Sequence, residues 1–215
     1  MDIKNAQEVL DEVSDLDLVV ALFLVESKLP ESQWRPLWES FPENFPRSPL
    51  LYTTNENDFL KTHEPSLHSE LELFKKTVES RWSTNPLLVS LKASEEEIAN
   101  AIGLVQSRVF SIAIRDDARN QWEYSKCLTP FADLLNTCAN PGRNVECVTN
   151  KESTFVECIA IAFIPSGTFL CTTYNLESDS HFWLNYGFVL PPDGRQESSL
   201  YSLYNRFDNL KIKEN

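Results

Sequence analysis

The sequence predicts an α+β protein, with helices in the first half of the chain and short strands in the second. Two observations support this prediction. Apolar residues recur at helical spacing up to about residue 109, and beyond it the chain has short runs rich in aromatic and β-branched residues. A run of helices followed by a run of strands is typical of the α+β class.

Three stretches of the first half have the pattern of amphipathic helices. They are residues 6–27, 68–82 and 95–108. The third has the clearest start, because Ser94 is followed three residues later by Glu97, the spacing of a capping box. The residues expected to face the core are Leu10, Val13, Leu16, Val20, Leu24, Leu67, Leu71, Phe74, Val78, Ile98, Ile102, Val105 and Val109.

Proline and strand-forming residues predict the remaining segments. Pro42, Pro46 and Pro49 indicate an ordered but irregular connection, because proline lacks a backbone donor and restricts the residue before it. Short strands are expected at residues 111–114, 145–148, 155–163 and 168–173. The Pro-Pro-Asp-Gly sequence at 191–194 indicates a turn, and residues 200–210 have the pattern of a short helix.

Composition and charge limit the classes of function. A chain of 215 residues that is 42% hydrophobic can bury one sizeable core. The formal net charge of -13 disfavours direct binding of nucleic acid or of an anionic membrane, and favours a basic protein partner. The longest apolar run, residues 18–25, is too short to span a bilayer, and the acidic first 17 residues do not resemble a secretory signal.

The cysteine pattern predicts neither a disulfide framework nor a metal site. The five cysteines are odd in number and widely spaced, and no Cys-x-x-Cys motif occurs. Reduced thiols in a cytoplasmic or nuclear protein are therefore expected. The three histidines have no spacing typical of a metal site or of a nucleophile's partner.

Ordered blocks along the chain resemble a known family. They are Ser32-Gln-Trp34-Arg-Pro36, Gln106-Ser-Arg108-Val-Phe110, Leu128-Thr-Pro130-Phe-Ala-Asp133-Leu-Leu-Asn136-Thr137, Pro165-Ser-Gly167, Tyr174-Asn175, Ser178-Asp179 and Tyr186-Gly187-Phe188. In this order they resemble the Rubisco large-subunit lysine methyltransferase-like class of SET-domain proteins. The resemblance covers about residues 16 to 190.

This resemblance implies an incomplete SET fold in three parts. Residues 1–104 would form the helical SET insertion, 105–190 the carboxyl half of the SET domain, and 191–215 a short tail. The family's cofactor-binding Gly-x-Gly strand precedes the insertion, and its substrate-binding domain follows the SET core. We expect the chain to lack both, to bind cofactor weakly, and to self-associate through an exposed sheet edge.

The resemblance also implies a chemistry, the transfer of a methyl group from S-adenosylmethionine to a protein substrate. Lysine is the leading acceptor, and a histidine acceptor stays open. Tyr174 would be the catalytic residue whose hydroxyl orients the acceptor amine. Arg108 and Asn136 would bind the cofactor, since a guanidinium suits a carboxylate. Tyr186 and Phe188 would line the substrate channel.

Each of these residues has a structural alternative. Asn136 could begin a turn, because asparagine bonds its own backbone there. Arg108 could be a surface residue at a helix end, where a cation favours the dipole. Tyr174 and Tyr186 could be core aromatics.

Three positions depart from the family's pattern. Thr137, Asn175 and Asp179 stand where the family has histidine, glycine and asparagine, and an acidic side chain near a cofactor carboxylate would be repulsive. These departures keep a second function open, that of a catalytically degenerate SET-derived binding or scaffold module. A third, an unrelated α+β interaction domain, would leave the ordered blocks unexplained.

Overall fold

The computed structural model of the chain describes residues 13–42, 45, 48–116, 121–138, 142–150, 155–174 and 178–191. The chain forms two compact units. The helical unit comprises Met1–Ser111 with Ser125–Leu128, and the strand-rich unit comprises Ile112–Tyr124 with Thr129–Asn215. The predicted α+β class is confirmed.

The helical unit is built from helices α1 to α6. Their bounds are α1 Asp15–Glu26, α2 Arg35–Trp38, α3 Thr54–His63, α4 Pro65–Thr84, α5 Pro86–Ser90 and α6 Glu95–Gln106, with a 3₁₀ turn at Pro49–Leu51. The three predicted helices correspond to α1, α4 and α6, although residues 6–12 lie outside the described part. The prediction does not include α3, whose capping box of Thr53 and Glu56 is itself a sequence signal.

The apolar faces of these helices form the core of the unit. The capping box that begins α6 is confirmed: the Ser94 hydroxyl accepts the Glu97 amide at 3.2 Å, and the Glu97 carboxylate accepts the Ser94 amide at 2.8 Å. The buried cluster consists of Val20, Ala21, Leu24, Val78, Leu88, Ile98, Ala101, Ile102 and Val105. Val20, Leu24, Val78, Ile98, Ile102 and Val105 are thereby confirmed as core residues. The other predicted residues Leu16, Phe74 and Val109 are partly buried, and Val109 begins a strand, so it does not belong to the third helical face.

One buried carboxylate ties α1 to α4. Asp17 is 8% exposed. Its side chain accepts hydrogen bonds from the Arg81 guanidinium at 2.9 Å and from the Ser14 hydroxyl at 2.8 Å. A carboxylate at this depth depends on such partners, because an unpaired buried charge is costly.

Gly103 marks a close approach between α6 and the segment before the 3₁₀ turn. A Cβ atom at this position would lie 2.9 Å from Cδ1 of Phe45 and 3.0 Å from Oγ of Ser48. Ser48 is 1% exposed, so it has little room to move aside. The packing of this segment against α6 therefore requires glycine.

The strands form three two-stranded sheets within the described part of the chain. β1 Val109–Asp116 pairs with β2 Gln121–Leu128, β3 Asn136–Thr137 runs parallel to β6 Cys171–Thr172, and β4 Val145–Thr149 runs antiparallel to β5 Val156–Ala160. Helix α7, Asp179–Tyr186, follows. The prediction includes neither β2, β3 nor α7. β5 and β6 are shorter than predicted. The residues beyond their ends have the composition of strands, but no described strand pairs with them.

Two cysteine pairs are disulfide-bonded, so the prediction of five reduced thiols is wrong. Cys147 and Cys158 lie directly opposite each other on β4 and β5, with Cα atoms 4.1 Å apart. Cys138 follows β3 and pairs with Cys171 of β6 at a Cα separation of 5.5 Å. Strand pairing brings the two cysteines of each pair close together, and their spacing in the sequence does not reveal this proximity. Burial raises the pKa of the remaining thiol, Cys127.

Candidate functional site

The parallel pair of β3 and β6 brings together two of the sequence blocks described above, the first ending at Thr137 and the second beginning at Tyr174. Asn136 lies beside Cys171 and Thr137 beside Thr172. The Cys138 amide continues the ladder by donating to the Thr172 carbonyl at 3.2 Å. The end of the first block therefore lies next to the strand that leads into Tyr174.

Tyr174 is fixed at both its side chain and its backbone. Its hydroxyl donates to the Leu135 carbonyl at 2.7 Å, and its amide donates to the Thr137 hydroxyl at 3.3 Å. Thr137, which stands where the resembled family has histidine, thus anchors Tyr174 to β3. The sequence prediction gives Thr137 no such role, because the contact joins residues 37 positions apart.

Tyr174 belongs to an aromatic cluster that also contains Phe182, Tyr186 and Phe188. The Tyr174 and Tyr186 ring centroids are 4.8 Å apart, and those of Tyr186 and Phe188 are 6.1 Å apart. Gly187 ends α7 with φ of 71°, so the chain turns between Tyr186 and Phe188. The sequence prediction omits Phe182, which is 4% exposed and one helical turn before Tyr186.

The turn that leads into β3 has a strained backbone. Phe131 has φ of 71°, and its side chain is 85% exposed. A non-glycine residue in such a conformation costs about 1–3 kcal/mol, and such residues cluster at functional sites. The buried hydroxyl of Thr129, at the start of the turn, has no hydrogen-bond partner within the described residues.

Asn136 and Arg108, the two predicted cofactor-binding residues, belong to different units. Asn136 is exposed on β3 of the strand-rich unit. Arg108 follows α6 in the helical unit, where its guanidinium carbon lies 4.4 Å from the centre of the Phe41 ring. Phe41 in turn packs against Phe23 and Trp38, with ring centroids 5.7 and 5.8 Å away. The structure thus brings Asn136, Tyr174, Tyr186 and Phe188 into one unit, and describes Arg108 in the other.

Ser178 and Asp179 begin α7. The Ser178 hydroxyl accepts the His181 amide at 3.4 Å as the N-cap, and Asp179 lies in the first turn. A carboxylate is favourable there because the amino end of a helix carries partial positive charge. Asn175, the third departure from the family's pattern, lies outside the described residues.

The described part of the chain contains neither a candidate metal site nor a candidate membrane span. No group of three or more His, Cys, Asp or Glu side chains in the described part of the chain could hold a metal ion. Of the helices described, none is long and apolar enough to cross a membrane.

No family model matches this sequence. The chain is 26% identical over 195 residues to human N-lysine methyltransferase SETD6, a match that covers 85% of this chain and 40% of that protein. The crystal structure of the SET domain of LSMT bound to lysine and AdoHcy is similar, with a TM-score of 0.65 and 21% identity over 88% of this chain and 44% of that one. The structure of Rubisco LSMT bound to AdoMet gives a TM-score of 0.63 and 19% identity, covering 88% and 43% of the two chains.

The chain therefore spans less than half the length of the relatives that it matches. The likeness to the two solved structures concerns the fold, and the likeness to SETD6 concerns the sequence. Both extend over more than four-fifths of this chain. The chain is thus similar in sequence to SETD6 and similar in fold to the SET domain of LSMT.

Proposed function

We propose that this chain is an S-adenosylmethionine-dependent protein methyltransferase with lysine as the acceptor. The observation that carries the proposal is the β3–β6 pair, which joins Asn136 to the segment of Tyr174. The sequence relative is an N-lysine methyltransferase, and the structural neighbours are bound to AdoMet or to lysine with AdoHcy.

Tyr174 is the residue that we place at the reacting amine. Its phenol donates a hydrogen bond to the Leu135 carbonyl, which fixes the direction of the O–H bond. The phenol oxygen can still accept an N–H bond through its lone pairs, and so can orient a neutral amine. When bound, S-adenosylmethionine would supply an electrophilic methyl group: the amine nitrogen would form a bond to the methyl carbon, and the sulfur would keep the electron pair of the broken C–S bond. The methylated amine then releases a proton to solvent.

The side chains of the site fit such a methyl donor. The faces of Tyr174 and Tyr186 attract a cation such as a sulfonium. The exposed amide of Asn136 can both donate and accept hydrogen bonds, and the Thr129 hydroxyl lies buried in the turn before it. Arg108, the other residue predicted to bind the cofactor, lies in the helical unit, and its role stays a prediction. Tyr186 and Phe188 would form the walls of the substrate channel.

The organisation and the partners follow from the same proposal. Residues 1–104 would be the helical SET insertion, 105–190 the carboxyl half of the SET domain, and 191–215 a tail. The partner would be a protein substrate of basic character, because the chain carries a net charge of -13. We further propose self-association through an exposed sheet edge. A cytoplasmic or nuclear location stays a proposal, and the two disulfides count against it, because those compartments keep thiols reduced.

Thr137 favours a second candidate function, that of a SET-derived binding module without catalysis. Its hydroxyl accepts the Tyr174 amide, which is a structural role. A threonine also lacks the ring nitrogens of the histidine found in the family at this position. A module of this kind would recognise a protein partner without binding S-adenosylmethionine.

Calorimetric titration with S-adenosylmethionine separates the two functions. A methyltransferase should give saturable binding that Asn136→Ala weakens at least about tenfold, or about 1.4 kcal/mol. The matched control is Asn55→Ala, an exposed asparagine of α3. If the folded chain binds no S-adenosylmethionine at millimolar concentration, the methyltransferase proposal fails and the binding module remains. Binding that is unchanged in the Asn136 variant would remove that residue from the site.

A further inference from the structure

One edge of β5 faces away from β4. At the ends of this pair, the Asn150 amide donates to the Phe155 carbonyl at 3.1 Å, and the Ile161 amide donates to the Asn144 carbonyl at 2.9 Å. Hydrogen-bonded and non-hydrogen-bonded pairs alternate along an antiparallel ladder. Odd-numbered residues of this stretch therefore direct their backbone groups toward β4. The even-numbered residues Val156, Cys158 and Ala160 direct theirs away from it.

No strand pairs with this second edge among the described residues. Successive side chains of a strand alternate between its two faces, so the odd-numbered residues share one face. On that face the side chains of Phe155, Ile159 and Ile161 are 57%, 50% and 44% exposed. An open edge beside an apolar face is a template for association with another strand.

We propose that a second copy of this chain adds its own β5 to this edge, antiparallel and centred on Cys158. This deepens the self-association included in the proposed function, but it does not depend on methyl transfer. In this register Val156 pairs with Ala160 of the second copy, so that even-numbered residues face even-numbered ones, as the outward backbone groups require. The same register places Phe155 opposite Ile161 and Glu157 opposite Ile159.

The charge pattern of the strand selects the register between the two copies. Glu157 is the only charged residue from Phe155 to Ile161. Centred on Cys158, each Glu157 faces Ile159 of the other copy, whereas pairing centred on Glu157 would place two carboxylates opposite each other. The resulting order β4-β5-β5-β4 is a four-stranded sheet, which is more stable than two isolated two-stranded sheets.

Sedimentation velocity over a range of protein concentrations tests this surface. We expect the unmodified chain to self-associate, and more strongly at high salt, because salt screens the repulsion between two chains of net charge -13. Ile159→Glu should weaken association about tenfold or more, since it opposes two carboxylates at each of two symmetric positions. Ile159→Lys should retain association, because its ammonium would face Glu157.

The controls separate the edge from other causes. Val89 of α5 is 53% exposed, so Val89→Glu adds the same charge elsewhere and should leave association unchanged. Ala160→Pro removes an outward donor without removing a bond to β4, and should also weaken association. A chain that is monomeric at every concentration, or equal effects of the Glu and Lys variants at Ile159, would overturn the proposal. S-adenosylmethionine titration of the same variants keeps the two proposals apart, since either binding or association can fail alone.

Discussion

Replacing Tyr174 by phenylalanine removes one oxygen and keeps the ring that packs on Tyr186 at 4.8 Å. The lost group donates to the Leu135 carbonyl at 2.7 Å in a part-buried position. One such hydrogen bond contributes about 1 kcal/mol to the free energy of unfolding. For a chain of 215 residues this corresponds to a decrease of about 2–4 °C in the melting temperature.

The expected loss of methylation rate is much larger. Removing one positioned polar group from a reaction centre commonly costs about 10²–10³ in rate. A loss of 1 kcal/mol cannot produce this effect by unfolding, because a protein stable by about 5 kcal/mol or more remains almost entirely folded. Rate and melting temperature should therefore be measured on the same Tyr174→Phe protein.

Tyr124→Phe is the matched control, since Tyr124 is 78% exposed on β2 and its change should affect neither quantity. A Tyr174→Phe protein that melts lower but methylates at the full rate would refute the catalytic role. It would leave Tyr174 as a structural link to β3.

Three further outcomes follow from the helical unit. Asp17→Ala should lower the free energy of unfolding by about 1–3 kcal/mol in urea titrations, because it leaves Arg81 without its buried partner. Gly103→Ala should also lower it, by about 1–3 kcal/mol, since the added Cβ meets two side chains within 3.0 Å; a higher urea midpoint would contradict this packing. The hydrogen bond from the Lys28 ammonium, and to a smaller extent those from Ser94, lower the pKa of Glu97 to about 2. The contribution of ionised Glu97 to stability is therefore present above pH 4.5 and is lost as the pH falls toward 2. Glu97→Gln should therefore make stability less dependent on pH in that interval.

The sequence determined the fold class and most of the core. The helical faces of α1, α4 and α6 follow from apolar spacing within one turn or two, and the capping box joins Ser94 and Glu97, three positions apart. The resemblance to SET-domain proteins also came from short motifs in a fixed order. Such signals are local, so a sequence alone carries them.

Tertiary structure decided what joins those segments. The pairing of β3 with β6, the contact of Thr137 with the Tyr174 amide and both disulfides connect residues that lie 11 to 37 positions apart. The strained turn at Phe131 and the tight contact at Gly103 likewise depend on what the backbone approaches. Strand pairing and side-chain packing are non-local. Strands of only two residues, such as β3 and β6, acquire strand geometry only from a partner strand. For that reason the sequence alone predicted Tyr174 and Asn136 as separate candidates, and the fold placed their segments side by side.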